Sequence, residues 1–155
     1  MPVQAFNELA AKIASSLVGR PLDSRLESLL NQRFGCGTAE FEQLRALCEE
    51  GERDGWLLQR EAGGIKFGRP VKPGTTAGSF SVDVVRMKDV AGPHHIHPNG
   101  EIGAVMAIAG APKFDGKAEG WYVYPPGSDH CPTLTDGDAY VLYLLPQGAI
   151  EFTGR

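Results

Sequence analysis

Cysteine is scarce in this chain: Cys36, Cys48 and Cys131 are odd in number and show no CxxC spacing. Neither a disulfide framework nor a zinc ribbon is supported, so reduced thiols are expected, with Cys131 read as a buried structural residue. No apolar run approaches the roughly 18 residues that a membrane helix needs. The first residues lack the basic start and apolar core of a secretory signal, which makes the cytoplasm the expected location. Excess positive charge is also missing. The net charge of -4 leaves no basic footprint for nucleic acid, and small molecules are the expected partners. Internal repeats and low-complexity tracts are absent as well.

What is present is an ordinary globular composition, 22% charged and 42% apolar, in a length of 155 residues that suits one compact domain. Two halves differ in grammar. Over residues 1–55, Phe6, Leu9, Ile13 and Leu17 recur at steps of three and four and predict a first amphipathic helix. Pro21 opens a second, with Leu22, Leu26, Leu29 and Leu30, that stops at Gly35. A third follows Thr38 with Phe41, Leu44, Leu47 and Cys48 inward, ending at Gly51. Nothing in these helices looks catalytic, and they are read as a cap over a barrel end or a dimer surface.

Residues 56–155 read differently, because most of the 20 glycines and 11 prolines punctuate short β-rich stretches there. Strands are expected at 56–58, 65–67, 80–87, 101–108, 120–124, 139–145 and 149–152. The fold expectation is therefore mainly β, a jelly-roll barrel behind an N-terminal helical segment.

All four histidines fall in two short segments. In Gly92-Pro93-His94-His95-Ile96-His97-Pro98-Asn99-Gly100-Glu101, residues 95, 97 and 101 share a parity, and an extended chain points them to one face. His94 has the opposite parity. Two imidazoles and a carboxylate fill only part of a metal's shell, so a further ligand is needed. His130 supplies it, because Pro125-Pro126-Gly127 is a tight-turn signal that can swing His130 back toward the trio.

These segments resemble the two motifs of the cupin superfamily, a His-x-His-x3-Glu run and a Pro-x-Gly-x2-His run. The resemblance implies that His95, His97, Glu101 and His130 bind one divalent metal inside a jelly roll. The chain departs from the general pattern at Gly92, in the span from Glu101 to Gly110 and at Leu134, none of which touches a ligand. Mixed N/O ligation suits Fe, Mn, Ni, Co or Zn.

The second half is similar to a narrower family, the 4-hydroxylaminobenzoate lyases of bacterial nitroaromatic degradation. The phrases that carry the likeness include Phe67-Gly68-Arg69, Ser81-Val82-Asp83-Val84-Val85, Lys113-Phe114-Asp115-Gly116, Gly120-Trp121-Tyr122-Val123-Tyr124-Pro125-Pro126-Gly127-Ser128 and Leu142-Tyr143-Leu144-Leu145-Pro146. The resemblance implies a metal-dependent lyase that converts 4-hydroxylaminobenzoate and water to 3,4-dihydroxybenzoate and ammonia.

Such a reaction calls for a proton donor, and Tyr122, Tyr124 and His94 are the candidates near the two motifs. Tyr122 and Tyr124 share one face of their strand and Trp121 and Val123 the other, so either pair can line the cavity. A small aromatic carboxylate calls for a guanidinium, and Arg69 and Arg86 are the candidates. Two rival readings use the same ligands: an Fe(II) dioxygenase, and a small-ligand-binding cupin without turnover. A homodimer is the expected assembly.

Overall fold

The structure is a computed structural model that describes all 155 residues. Three helices come first: α1 (Pro2–Ser15), α2 (Ser24–Phe34) and α3 (Ala39–Asp54). Asp23 caps α2 by accepting from the Arg25 and Leu26 N–H groups, which moves its start past the expected Pro21. Thr38 caps α3 in the same way through the Phe41 N–H.

α3 runs beyond the expected stop at Gly51. A side chain at 51 would begin 2.8 Å from Leu57 Cβ and 3.0 Å from the Trp56 ring, so this buried glycine is a packing notch and not a terminator. The helix ends instead at Gly55, whose φ of 81° is the left-handed conformation of a C-terminal cap. For the same reason 56–58 is not a strand: Trp56 turns back to meet Phe6 edge-on at 5.7 Å, and Leu57 is buried among the helices.

Nine strands follow: β1 (Arg60–Ala62), β2 (Ile65–Val71), β3 (Phe80–Ala91), β4 (His95–His97), β5 (Glu101–Phe114), β6 (Gly120–Tyr124), β7 (Ser128–His130), β8 (Thr133–Pro146) and β9 (Glu151–Phe152). They form an antiparallel sheet in the order β1-β2-β3-β8-β5-β6 and a small sheet in the order β7-β4-β9. The jelly roll is thus two sheets and not one closed ring of hydrogen-bonded strands.

Strand parity divides the core in two. Val82, Val84, Ala104, Met106, Leu142 and Leu144 project from the large sheet toward the helices and share a cluster with Phe6, Ile13, Leu30, Phe41 and Leu44. The alternate residues Met87, Val105, Val141 and Tyr122, with Phe114 and Leu134, form a second cluster on the opposite face. That inner face carries the histidine site. No helix is long and apolar enough to cross a membrane.

Candidate metal centre

β4 is the middle strand of the small sheet, with His95 opposite His130 and His97 opposite Ser128 in its antiparallel pairing with β7. Period-two alternation aims His95 and His97 the same way, and the turn at 125–127 delivers His130 beside them. The three Nε2 atoms lie 2.9–3.0 Å from one another. Glu101, at the start of β5, places Oε2 3.2 Å from His97 Nε2 and 3.9 Å from His130 Nε2. Gly100 makes this approach feasible, because its φ of 87° closes the tight turn from His97 into β5.

Three facts show that this set fits a cation. First, His95 donates Nδ1–H to the Pro93 carbonyl at 3.1 Å and His130 donates Nδ1–H to Asp115 at 2.6 Å. Both Nε2 atoms therefore present lone pairs to the shared point. Second, Glu101 Oε2 is buried with no hydrogen-bond partner. Third, three converging imidazole nitrogens beside a carboxylate oxygen are the mixed donors that a divalent first-row ion takes.

The electrostatics agree. Burial, with the neighbouring His130, pushes the His95 imidazole down to about 4, and burial with His95 pushes His97 down to about 3. Both rings are neutral donors at neutral pH. Burial pushes the Glu101 carboxyl up to about 8, opposed by the adjacent Tyr122 hydroxyl and reinforced by Asp115 and Asp83. A cation favours the ionised form of that carboxylate. Tyr122 OH lies beside Glu101 but is buried without a hydrogen-bonding geometry to any group.

Asp115 belongs to the site although no sequence argument singled it out. Its Oδ2 accepts from His130 and from the Tyr124 hydroxyl at 2.7 Å, and its Oδ1 accepts from the Thr133 N–H at 3.0 Å. Burial alone would raise its pKa, but these donors outweigh burial and hold it low. The backbone at Asp115 is left-handed, φ 52°, a conformation that aspartate tolerates in a turn. Its Asp-Gly pair was the available signal.

Beside the four candidate ligands opens a cavity of about 410 Å3, in the range of small-molecule sites. Its walls are chiefly apolar and aromatic, with Phe67, Val85, Met87, Phe114, Ile150 and Phe152 among them. Phe152 stands edge-on to His95 at 5.5 Å between ring centres.

The other candidates are placed elsewhere. Tyr122 and Tyr124 do take the inner face, while Trp121 turns outward and donates Nε1–H to the Phe34 carbonyl. Neither tyrosine lines the cavity, however: the Tyr122 ring is buried across Gly103, and the Tyr124 hydroxyl is committed to Asp115. His94 is turned away, with Thr153 Oγ1 2.6 Å from Nδ1 and Asp129 Oδ2 2.7 Å from Nε2. Its parity explains this.

Arg86 lies on the helix side of β3, bound to Asp138 and Glu52 at 2.7 Å each, and does not face the cavity. Arg69 is also outside the lining, its Nε donating to Asp83 at 2.7 Å and its Nη2 to the Gly148 carbonyl at 3.2 Å. Cys131, expected to be buried, is exposed.

Comparison with known proteins adds a family. Residues 8–152 match the family model described as PnbB, 4-hydroxylaminobenzoate lyase. A protein of Nocardioides sp. (strain LMS-CY), named 4-hydroxylaminobenzoate lyase, is 30% identical over 147 residues, covering 89% of this chain and 87% of its own length. One from Pseudomonas putida with the same name is 24% identical, covering 84% of each chain. Among solved structures, the fold is similar to that of the DMSP lyase DddQ from Ruegeria pomeroyi DSS-3. The TM-score is 0.54 at 15% identity, over 97% of this chain and 96% of that one.

Proposed function

The chain belongs to the 4-hydroxylaminobenzoate lyase family, and from that premise we propose that it converts 4-hydroxylaminobenzoate and water to 3,4-dihydroxybenzoate and ammonia. The reading includes one divalent metal ion held by His95, His97, Glu101 and His130. The observation that carries it is the convergence of three imidazole Nε2 atoms at 2.9–3.0 Å, with a buried unpaired carboxylate oxygen beside them, at the wall of an apolar cavity. The mixed nitrogen and oxygen donors would suit Fe, Mn, Ni, Co or Zn.

When bound, such an ion supplies Lewis acidity toward an oxygen of the substrate or toward water. The chain's own groups do the remainder. Phe67, Phe114 and Phe152 supply aromatic walls for a benzene ring, and the apolar lining limits bulk water around the reacting nitrogen. Asp115 fixes the tautomer and orientation of His130, so that its Nε2 lone pair faces the centre.

The test is an anaerobic assay of metal-loaded protein with 4-hydroxylaminobenzoate, following ammonia and 3,4-dihydroxybenzoate together, with His97→Ala alongside. Equal release of both products without oxygen, lost in the variant, is the expected result. Turnover that requires oxygen would move the protein to the dioxygenase reading, and turnover unaffected by His97→Ala would remove the metal from the mechanism.

A further inference from the structure

Sixteen residues line the cavity, and apart from the candidate ligands His95, Glu101 and His130 only one of them, Tyr143, carries a side-chain oxygen or nitrogen. It stands on β8 directly between Asp83 of β3 and Gly103 of β5, on the face that bears Glu101. Its hydroxyl is hydrogen-bonded to no group of the chain, and the residue is partly exposed at the cavity wall. The three donors expected from the sequence are occupied or withdrawn: His94 by Thr153 and Asp129, Tyr124 by Asp115, and Tyr122 by burial away from the lining.

We propose that Tyr143 is the catalytic proton donor of this cavity, giving its hydroxyl proton to the departing oxygen of an aryl hydroxylamine. The N–O bond breaks with both electrons leaving on oxygen, and the tyrosine proton converts that oxygen to water. The nitrogen is left electron-deficient and its positive charge spreads into the ring. Water then adds to the ring carbon next to the one that bears nitrogen, and the proton it loses returns to the Tyr143 phenolate. A second water adds at the C=N carbon, the C–N bond breaks with release of ammonia, and the ring rearomatises to the catechol, so that two waters enter for the one released. Nothing is oxidised or reduced outside the substrate. The inference rests on the lyase reading and names the group that serves it.

Tyr143→Phe, brought to the same metal content as wild type, is compared with it anaerobically on 4-hydroxylaminobenzoate and on phenylhydroxylamine, which lacks the carboxylate. Loss of a general acid predicts a fall in kcat of roughly a hundredfold or more on both substrates, with KM little changed. Calorimetry with 4-aminobenzoate, which lacks the departing oxygen, should give the same Kd for both proteins. A penalty confined to KM for the carboxylated substrate would make Tyr143 a carboxylate binder and overturn the proposal. Unchanged kcat in the variant would overturn it while leaving the lyase reading intact. A wild type that releases no ammonia from either compound would overturn the lyase reading and this role together.

Discussion

Nδ1 of His130 donates to Oδ2 of Asp115 across 2.6 Å, from a turn fifteen residues earlier in the chain. That bond selects the tautomer in which His130 Nε2 is a lone-pair donor, and Tyr124 and the Thr133 N–H hold the carboxylate in place. Partners of this kind tune ligand basicity, and their loss commonly weakens metal binding by about 10- to 100-fold. Asp115→Asn is expected to do so here, measured by competition with a chelator at neutral pH. Tyr124→Phe, which spares the Asp115–His130 bond, should have a smaller effect. Equal affinity in Asp115→Asn and wild type would reduce Asp115 to a turn residue.

How much of this could be read from the sequence depends on the distance over which each feature is built. His95, His97 and Glu101 were legible because strand parity acts locally, and the amphipathic spacing of Phe6, Leu9 and Ile13 gave α1 for the same reason. Trp56–Leu58 was misread as a strand because its conformation is decided by tertiary packing on Phe6 and Gly51. Arg69 and Arg86 looked free for substrate because their partners Asp83 and Asp138 lie 14 and 52 residues away. Tyr143 was hidden inside an apolar strand phrase, since only the assembled sheet shows which of its residues face the cavity.

Gly103 and Tyr122 are cross-strand partners, and the glycine has no substitute. A Cβ at 103 would lie 2.2 Å from both Cζ and the hydroxyl oxygen of Tyr122, inside a fully packed region. Gly103→Ala is expected to destabilise the protein by about 3 kcal/mol through overpacking, seen as a lower denaturation midpoint. Tyr122→Phe should not rescue it, because Cζ remains; Tyr122→Leu should recover part of the loss. Additive effects in the second pair would show that the clash is absent.

Arg69 and Asp83 form a pair whose carboxylate is almost buried and whose guanidinium is about one third exposed. Burial raises the Asp83 pKa despite the Arg69 contact, so removing the arginine leaves an uncomfortable charge. Arg69→Ala is expected to cost about 2 kcal/mol at neutral pH, less than a fully buried pair because solvent screens the exposed side. The double variant Arg69→Ala with Asp83→Asn should cost less than the sum of the singles. The KM ratio of 4-hydroxylaminobenzoate to phenylhydroxylamine should be unchanged by Arg69→Ala. A rise for the carboxylated substrate alone would return Arg69 to the substrate site.

Glu52 joins α3 to the large sheet, accepting from Arg86 and from the Tyr140 hydroxyl at 2.7 Å each, with Lys66 at 3.3 Å. Burial by itself would raise its pKa, but the Tyr140 and Arg86 contacts outweigh burial and the net shift is downward. The folded state therefore holds the Glu52 proton less readily than the unfolded chain. Its contribution to stability is fully present above the ordinary glutamate value of about 4.3 and is lost as pH falls through the lowered folded value. Glu52→Gln should thus be less stable than wild type at pH 7, by roughly 1 kcal/mol. The gap should close as the solution is taken below pH 4, because wild type then carries a neutral side chain as well. Denaturant midpoints of both proteins across this range decide the matter: a gap that widens on acidification would mean that Glu52 is held protonated in the fold, and that burial prevails over Arg86 and Tyr140.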